Sequence, residues 1–150
     1  MTTMATRWGD RGERGGSSAV ELVIVVPAVV MLMALAIAGG RIWMAESAVQ
    51  QAAGAAARAA SLDRTAGAAA ASGRQVAAAN LASSGLECVS TSVSVNTGAF
   101  ARPVGTPGTI TSQVSCTITM SDLLLPGSPG RRTITGDGAA PLDTYRARGR

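Results

Sequence analysis

Hydrophobic and polar positions divide this chain into three stretches, each with its own period. Ala19 to Gly40 reads AVELVIVVPAVVMLMALAIAGG and carries one charge, Glu21. The 19 residues from Leu22 to Gly40 are uncharged, and at about 1.5 Å per helical residue they reach ~28 Å, against a hydrocarbon core of about 30 Å. A helix apolar on every side needs a large protein or a bilayer around it. The remainder of the chain is rich in Ala, Gly, Ser and Thr, so the pattern predicts a transmembrane helix over residues 17–40.

From Arg41 the period becomes that of an amphipathic helix. Ile42, Ala45, Val49, Ala52, Ala56 and Ala59 recur at alternating three and four residues, and Glu46, Gln50, Gly54 and Arg58 line another face. This predicts a helical stem over residues 41–84. Leu62-Asp63-Arg64-Thr65 interrupts it, with Asp63 or Thr65 as the cap of a second stretch from Ala66 to Leu81, and Ser83-Ser84-Gly85 closes it.

After Leu86 apolar and hydroxyl residues alternate, the signature of half-buried strands. Val89, Thr91, Val93 and Val95 alternate with serines, and Ile110, Val114, Cys116, Ile118 and Met120 alternate with Thr and Ser. Asn96 to Thr109 holds the Pro and Gly residues of a turn. Leu123 to Gly127 reads as a second turn, and Arg131 to Thr135 as a third, shorter strand ending before Gly136-Asp137-Gly138. Pairing Val95 with Ile110 places Val89 opposite Cys116 and brings Cys88 within a small shift or bulge of it. The fold class expected is α+β: a long N-terminal transmembrane helix continuing into an amphipathic stem, then a small antiparallel sheet of about three strands. Residues 85–150 form a β-rich head with a tail fraying from Pro141, and residues 1–16 a polar leader predicted to be disordered.

Composition narrows the function. Aromatics are 3% of the residues, so the head's core is built of small side chains that each bury little area. The basic residues are all Arg, and the net charge of +4 is scattered rather than patched, which argues against a nucleic-acid partner. There is no His, which removes His triads, His metal ligands and the usual general base. No catalytic, cofactor-binding or metal-binding residues stand out, and the chain reads as a non-enzyme. Arg7, Arg11 and Arg14 precede the apolar run, so the positive-inside rule puts the N-terminus in the cytoplasm and the head outside. On that side Cys88 and Cys116 are expected to form a disulfide, the alternative being two buried free thiols.

The junction Gly15-Gly16-Ser17-Ser18-Ala19-Val20-Glu21-Leu22 is the most specific motif. A short basic leader ending in Gly, a Glu five residues later and a long apolar run resemble the type IV pilin pattern. More closely, RGGSSAVELVIVVPAVV resembles the start of TadE-like proteins, pilin-like components of the tight-adherence pilus, through Glu21 and the following Pro27. A fainter likeness lies at Leu142-Asp143-Thr144-Tyr145-Arg146. The resemblance implies processing between Gly16 and Ser17 by a prepilin-type peptidase, and assembly roles for Glu21 and Pro27. The implied partners are the membrane, other pilin-like subunits and a pilus-assembly platform. Ser17 departs from the aromatic first residue usual in major pilins.

The residues have physical readings of their own. A carboxylate at a bilayer centre costs ~3 kcal/mol, so Glu21 belongs at the interface or beside a cation. A new amine at Ser17 is one helical turn away, and a neighbouring subunit's amine is an alternative. Glu21 at a helix start also suits the helix dipole. Pro27 removes one helical hydrogen bond and favours a bend. Ala36 and Gly40 have the spacing that lets another helix approach, and Trp43 suits the membrane interface. The expected protein is a TadE-like minor pilin or pilus-assembly component, single-pass in the cell membrane and displayed at the surface. The competing reading is an extracellular binding module, secreted or membrane-anchored, whose apolar run is a signal peptide or signal anchor. Ala36-Ile37-Ala38 before Gly39 supplies the cleavage motif for that reading.

Overall fold

The computed structural model describes residues 16–119 and 130–145, with side chains from residue 21 onward. The expected disorder of the leader through residue 15, the turn at Leu123 to Gly127 and the end of the tail lie outside the described residues. The chain divides into two compact units, Met1–Gly39 and Gly40–Arg150.

Helix α1 spans Gly16–Leu62 and runs through Pro27. In the first unit every side chain described is exposed except Ala38, although nearly all are apolar. The fold class is α+β, as the periods predict: a long apolar N-terminal helix followed by a small antiparallel sheet.

In the second unit the stem part of α1 is joined by residues 63–65 to helix α2, Ala66–Ser83. Thr65, in an extended conformation, caps α2 by accepting from the Ala68 N–H at 3.2 Å, which satisfies one of the amides a helix start leaves orphaned. The Ser72 hydroxyl donates to the Asp63 carboxylate across the same corner. The two helices are antiparallel. Ala60 groups with Ala69 near the corner, and Ala45 and Val49 group with Ala77 and Leu81 further back.

The buried stripe on the stem is wider than the expected seam. Ala45, Val49, Ala52 and Ala56 are buried as predicted, but so are Ala53, Ala57 and Ala60, whereas Ile42 and Ala59 are only half-buried. The reason is that the stem packs against two neighbours, α2 on one side and the sheet on another.

The sheet contains β1 (Ser90–Asn96), β2 (Gly108–Thr119) and β3 (Arg131–Leu142) in that order, all antiparallel. Ile110, Ser112, Val114 and Cys116 of β2 point inward and are buried, while Thr109, Thr111 and Gln113 point outward. The register differs from the one expected. Val95 faces Ser112 rather than Ile110, and Thr91 rather than Val89 faces Cys116. A shift of two keeps every side chain on its face, so the alternation alone does not fix it. The connection does: a 3-10 turn at Gly98–Ala101 packs over the start of β2, where a Cβ on Gly108 would lie 2.9 Å from the Ala99 Cβ, so β1 ends opposite Thr111.

The third strand was expected to stop before Gly136-Asp137-Gly138 and the tail to fray from Pro141. Instead β3 continues through both, pairing Gly138 with Ser112 and Pro141 with Thr109 and burying Leu142. Pro141 is tolerated because β3 is an edge strand. Gly136 and Gly138 are not breakers but points of contact. A Cβ on Gly136 would lie 2.8 Å from the Val49 carbonyl oxygen, and one on Gly138 would collide with the Ala53 carbonyl. Only residues without side chains let the sheet lie this close to the stem backbone.

Candidate functional site

The residues expected to carry assembly lie on the first unit. Gly16 is the first residue of α1, and the backbone is helical through Ser17, Glu21 and Pro27. Ser17 and Glu21 are therefore one turn apart along one helix, ~6 Å in rise. Glu21 is exposed, and among the described residues no cation is in ion-pair reach of it. Pro27 cannot donate to the Val23 carbonyl, so one acceptor is left without its helical partner.

Around these two residues the surface is hydrocarbon. The most apolar window of the helix has a mean hydropathy of 2.8, and 6% of that window is buried. Leu22, Val23, Ile24, Met31, Leu32 and Met33 are among the large apolar side chains left exposed, on all sides of the helix. Each costs roughly 1.5–3 kcal/mol to keep in water, and a dozen of them would cost more than the ~5–15 kcal/mol by which a domain is stable. The helix is long and apolar enough to cross a membrane. Glu21 marks its N-terminal edge, and Trp43, 70% exposed, follows its C-terminal side.

The second unit holds Cys88 and Cys116 together as a disulfide, with Cα atoms 5.4 Å apart. It forms without a bulge in the ladder. The chain bends at Val89, whose N–H donates to the Thr117 carbonyl at 2.7 Å, and Cys88 folds back over the inner face of β2. The bond ties the exit of α2 to the central strand.

The groups that seat the sheet on the stem were not singled out by the sequence. The Ser112 hydroxyl, buried between Ile110 and Val114, donates to the Ala53 carbonyl at 2.6 Å. The Gln50 side-chain amide donates to the Asp137 carbonyl at 2.7 Å and accepts from the Asp137 N–H at 3.2 Å. Glu46 meets Arg132 at 3.6 Å. The signal available in the sequence was Gly136-Asp137-Gly138, read there as the point before which the third strand ends.

The outer face of the sheet is a field of hydroxyls. Ser92 bonds Ser115 and Thr117 bonds Thr133, both at 2.9 Å, and Gln113 donates to Asp137 at 3.0 Å. A shallow groove of about 530 Å³ is lined by Trp43, Glu46, Gln50 and Arg132. Among the described residues no three His, Cys, Asp or Glu side chains gather as a metal site would require.

The chain thus joins an apolar helix, long and apolar enough to cross a membrane and with one carboxylate near its start, to a helical stem and a disulfide-bonded β head. Residues 16–58 match the family model described as TadE-like protein, which bears out the resemblance carried by Glu21 and Pro27. The match takes in the apolar span and most of the stem, and stops short of the sheet and of the Leu142–Arg146 stretch. No curated protein and no solved structure matches the chain.

Proposed function

We propose that this chain is a non-enzymatic TadE-like minor pilin or pilus-assembly component. The observation that carries the reading is the family match over residues 16–58, because it covers Glu21, Pro27 and the whole uncharged run in one segment. In this reading the N-terminus is cytoplasmic and the head extracytoplasmic. A prepilin-type peptidase cuts between Gly16 and Ser17. The span then lies among other pilin-like subunits and the assembly platform, with Glu21 answering an amine, its own at Ser17 or a neighbour's. Two features support it. A carboxylate with no cation in reach among the described residues, at the entrance of a hydrocarbon surface, gains much from a cation brought by a partner, and the hydroxyl-covered sheet gives the head a surface that is comfortable in water.

The intact mass of protein extracted from membranes tests this. A mature chain beginning at Ser17 is the expected result. A chain beginning at Gly39 overturns the pilin reading in favour of a secreted module, and one that keeps Met1 or Thr2 removes the peptidase from the proposal.

A further inference from the structure

The two edges of the sheet are not alike. β3 carries Arg131, Arg132, Asp137 and Pro141, and the Gln50 side chain occupies both backbone groups of Asp137. Charge, proline and a covering group are the devices that keep an edge strand from pairing with another chain. β1 forms the opposite edge and has neither charge nor proline from Ser90 to Asn96, which reads STSVSVN.

The direction of the groups on β1 follows from Asp137. Its N–H and carbonyl turn to Gln50, so those of Gln113, its partner on β2, turn the other way, to Ser94. Opposed residues of an antiparallel ladder alternate between bonded and non-bonded pairs. Ser92 and Ser94 therefore bond β2, whereas Thr91, Val93 and Val95 turn their N–H and carbonyl groups off the edge. Among the described residues nothing in the chain answers those groups. The Val93 and Val95 side chains pack on the inner face but stay only half-buried.

These outward residues are symmetric about Val93. Laid antiparallel on itself, β1 opposes Val93 to Val93 and Thr91 to Val95, so every outward N–H meets an outward carbonyl and none is left over. On the outer face the same register sets Ser92 against Ser94 and Ser90 against Asn96, all uncharged. On the inner face it joins the half-buried valines of the two strands into one strip. α2, the helix beneath β1, exposes only Ala, Gly and Ser besides Arg74 and Gln75, so it sets few large side chains beside the contact.

We propose that β1 pairs with β1 of a second copy of this chain, antiparallel and centred on Val93, so that two three-stranded sheets become one. The contact uses the same edge on both copies and closes at two. It lies wholly within the second unit and does not depend on the pilus reading, since an extracellular binding module would have the same edge.

Sedimentation equilibrium of the full-length protein in density-matched detergent measures the association, and a dimer is the result expected. Ser92→Lys/Ser94→Lys sets lysine opposite lysine on either side of the two-fold axis and should weaken the dimer about tenfold or more. Ser92→Glu/Ser94→Lys sets glutamate opposite lysine in the same places and should restore it. Both positions are exposed, so each variant should keep the wild-type thermal midpoint and the Cys88–Cys116 bond. A monomeric wild-type chain overturns the proposal and leaves the edge to a different partner. A dimer that survives the two lysines overturns it as well, because the copies would then be meeting through their apolar helices. Loss of the dimer in both variants does the same, since Ser92 and Ser94 would not be facing one another.

Discussion

The side-chain amide of Gln50 is bonded to both backbone groups of Asp137, donating to its carbonyl and accepting from its N–H. Both of those groups therefore point away from β2, off the open edge of β3. A single glutamine on the stem does there what a residue of a fourth strand would do.

Gln50→Ala should lower the stability of the head by about 1 kcal/mol, the net worth of hydrogen bonds that water can partly replace. Gln50→Glu should cost at least as much, since it retains only the acceptor and sets a carboxylate oxygen against the Asp137 carbonyl. Urea unfolding of the purified chain in detergent, followed by far-ultraviolet circular dichroism, measures both. A Gln50→Ala midpoint equal to wild type shows that the bonds contribute nothing.

Gly138→Ala and Gly54→Ala should move stability in opposite directions. A methyl group on Gly138 runs into the Ala53 carbonyl, whereas one on Gly54 meets only the Arg58 guanidinium at 3.7 Å, an ordinary contact. The first should destabilise by ~3 kcal/mol or more, as overpacking against backbone does. The second should stabilise by ~0.5–1 kcal/mol, the helix-propensity gain of Ala over Gly. Thermal midpoints of the two variants, compared in one buffer, decide the matter.

Ser112→Ala removes a buried hydroxyl that bonds the Ala53 carbonyl at 2.6 Å. That carbonyl keeps its place in the helical ladder, so the loss should be modest, ~0.5–1.5 kcal/mol. Ser112→Val should cost more, because a second methyl branch must fit where a hydroxyl touched backbone. The order wild type, Ala, Val in chemical denaturation is the result expected.

The Cys88–Cys116 bond should be worth ~2–4 kcal/mol to a head with few large side chains. Cys88→Ser and Cys116→Ser should each lower the steady-state amount of protein, and the double variant should be no worse than either. Thiol labelling before and after reductant, read as a mass shift, checks the bond itself. Two thiols that label without reductant would show that it is absent.

Periodicity made the helices legible, since the interruption at Asp63-Arg64-Thr65 and the alternation after Val89 each announce a change of element. The register of β1 on β2 was not legible. A slip of two leaves the same side chains facing inward, and the 3-10 turn over Gly108 that fixes the pairing is a tertiary contact. β3 was cut short for a related reason. Gly136 and Gly138 resemble turn residues when read alone, and their role exists only once the stem backbone of Val49 and Ala53 lies against them. Gln50 looked like one more polar residue on a solvated face. The apolar run that holds Glu21 and Pro27 was legible because its signal lies in the composition of one segment, which needs no partner to be read.

Glu21→Ala removes the one charge from the run, so membrane insertion should be unchanged or improved while assembly suffers. Fractionation and surface-filament counts on the same cells separate the two. Wild-type filament numbers would reduce Glu21 to a residue that merely begins a helix.

β3 follows α1 in the same direction: Arg132 meets Glu46, Asp137 meets Gln50, Gly138 touches Ala53 and Leu142 groups with Ala60. A pull on the head against an anchored stem thus loads this seam in shear. The hydrogen bonds, the close glycine contacts and the buried alanines resist together rather than one after another, as they would in a peel. Side chains that each bury little area let that seam run without a break along the stem from Glu46 to Ala60.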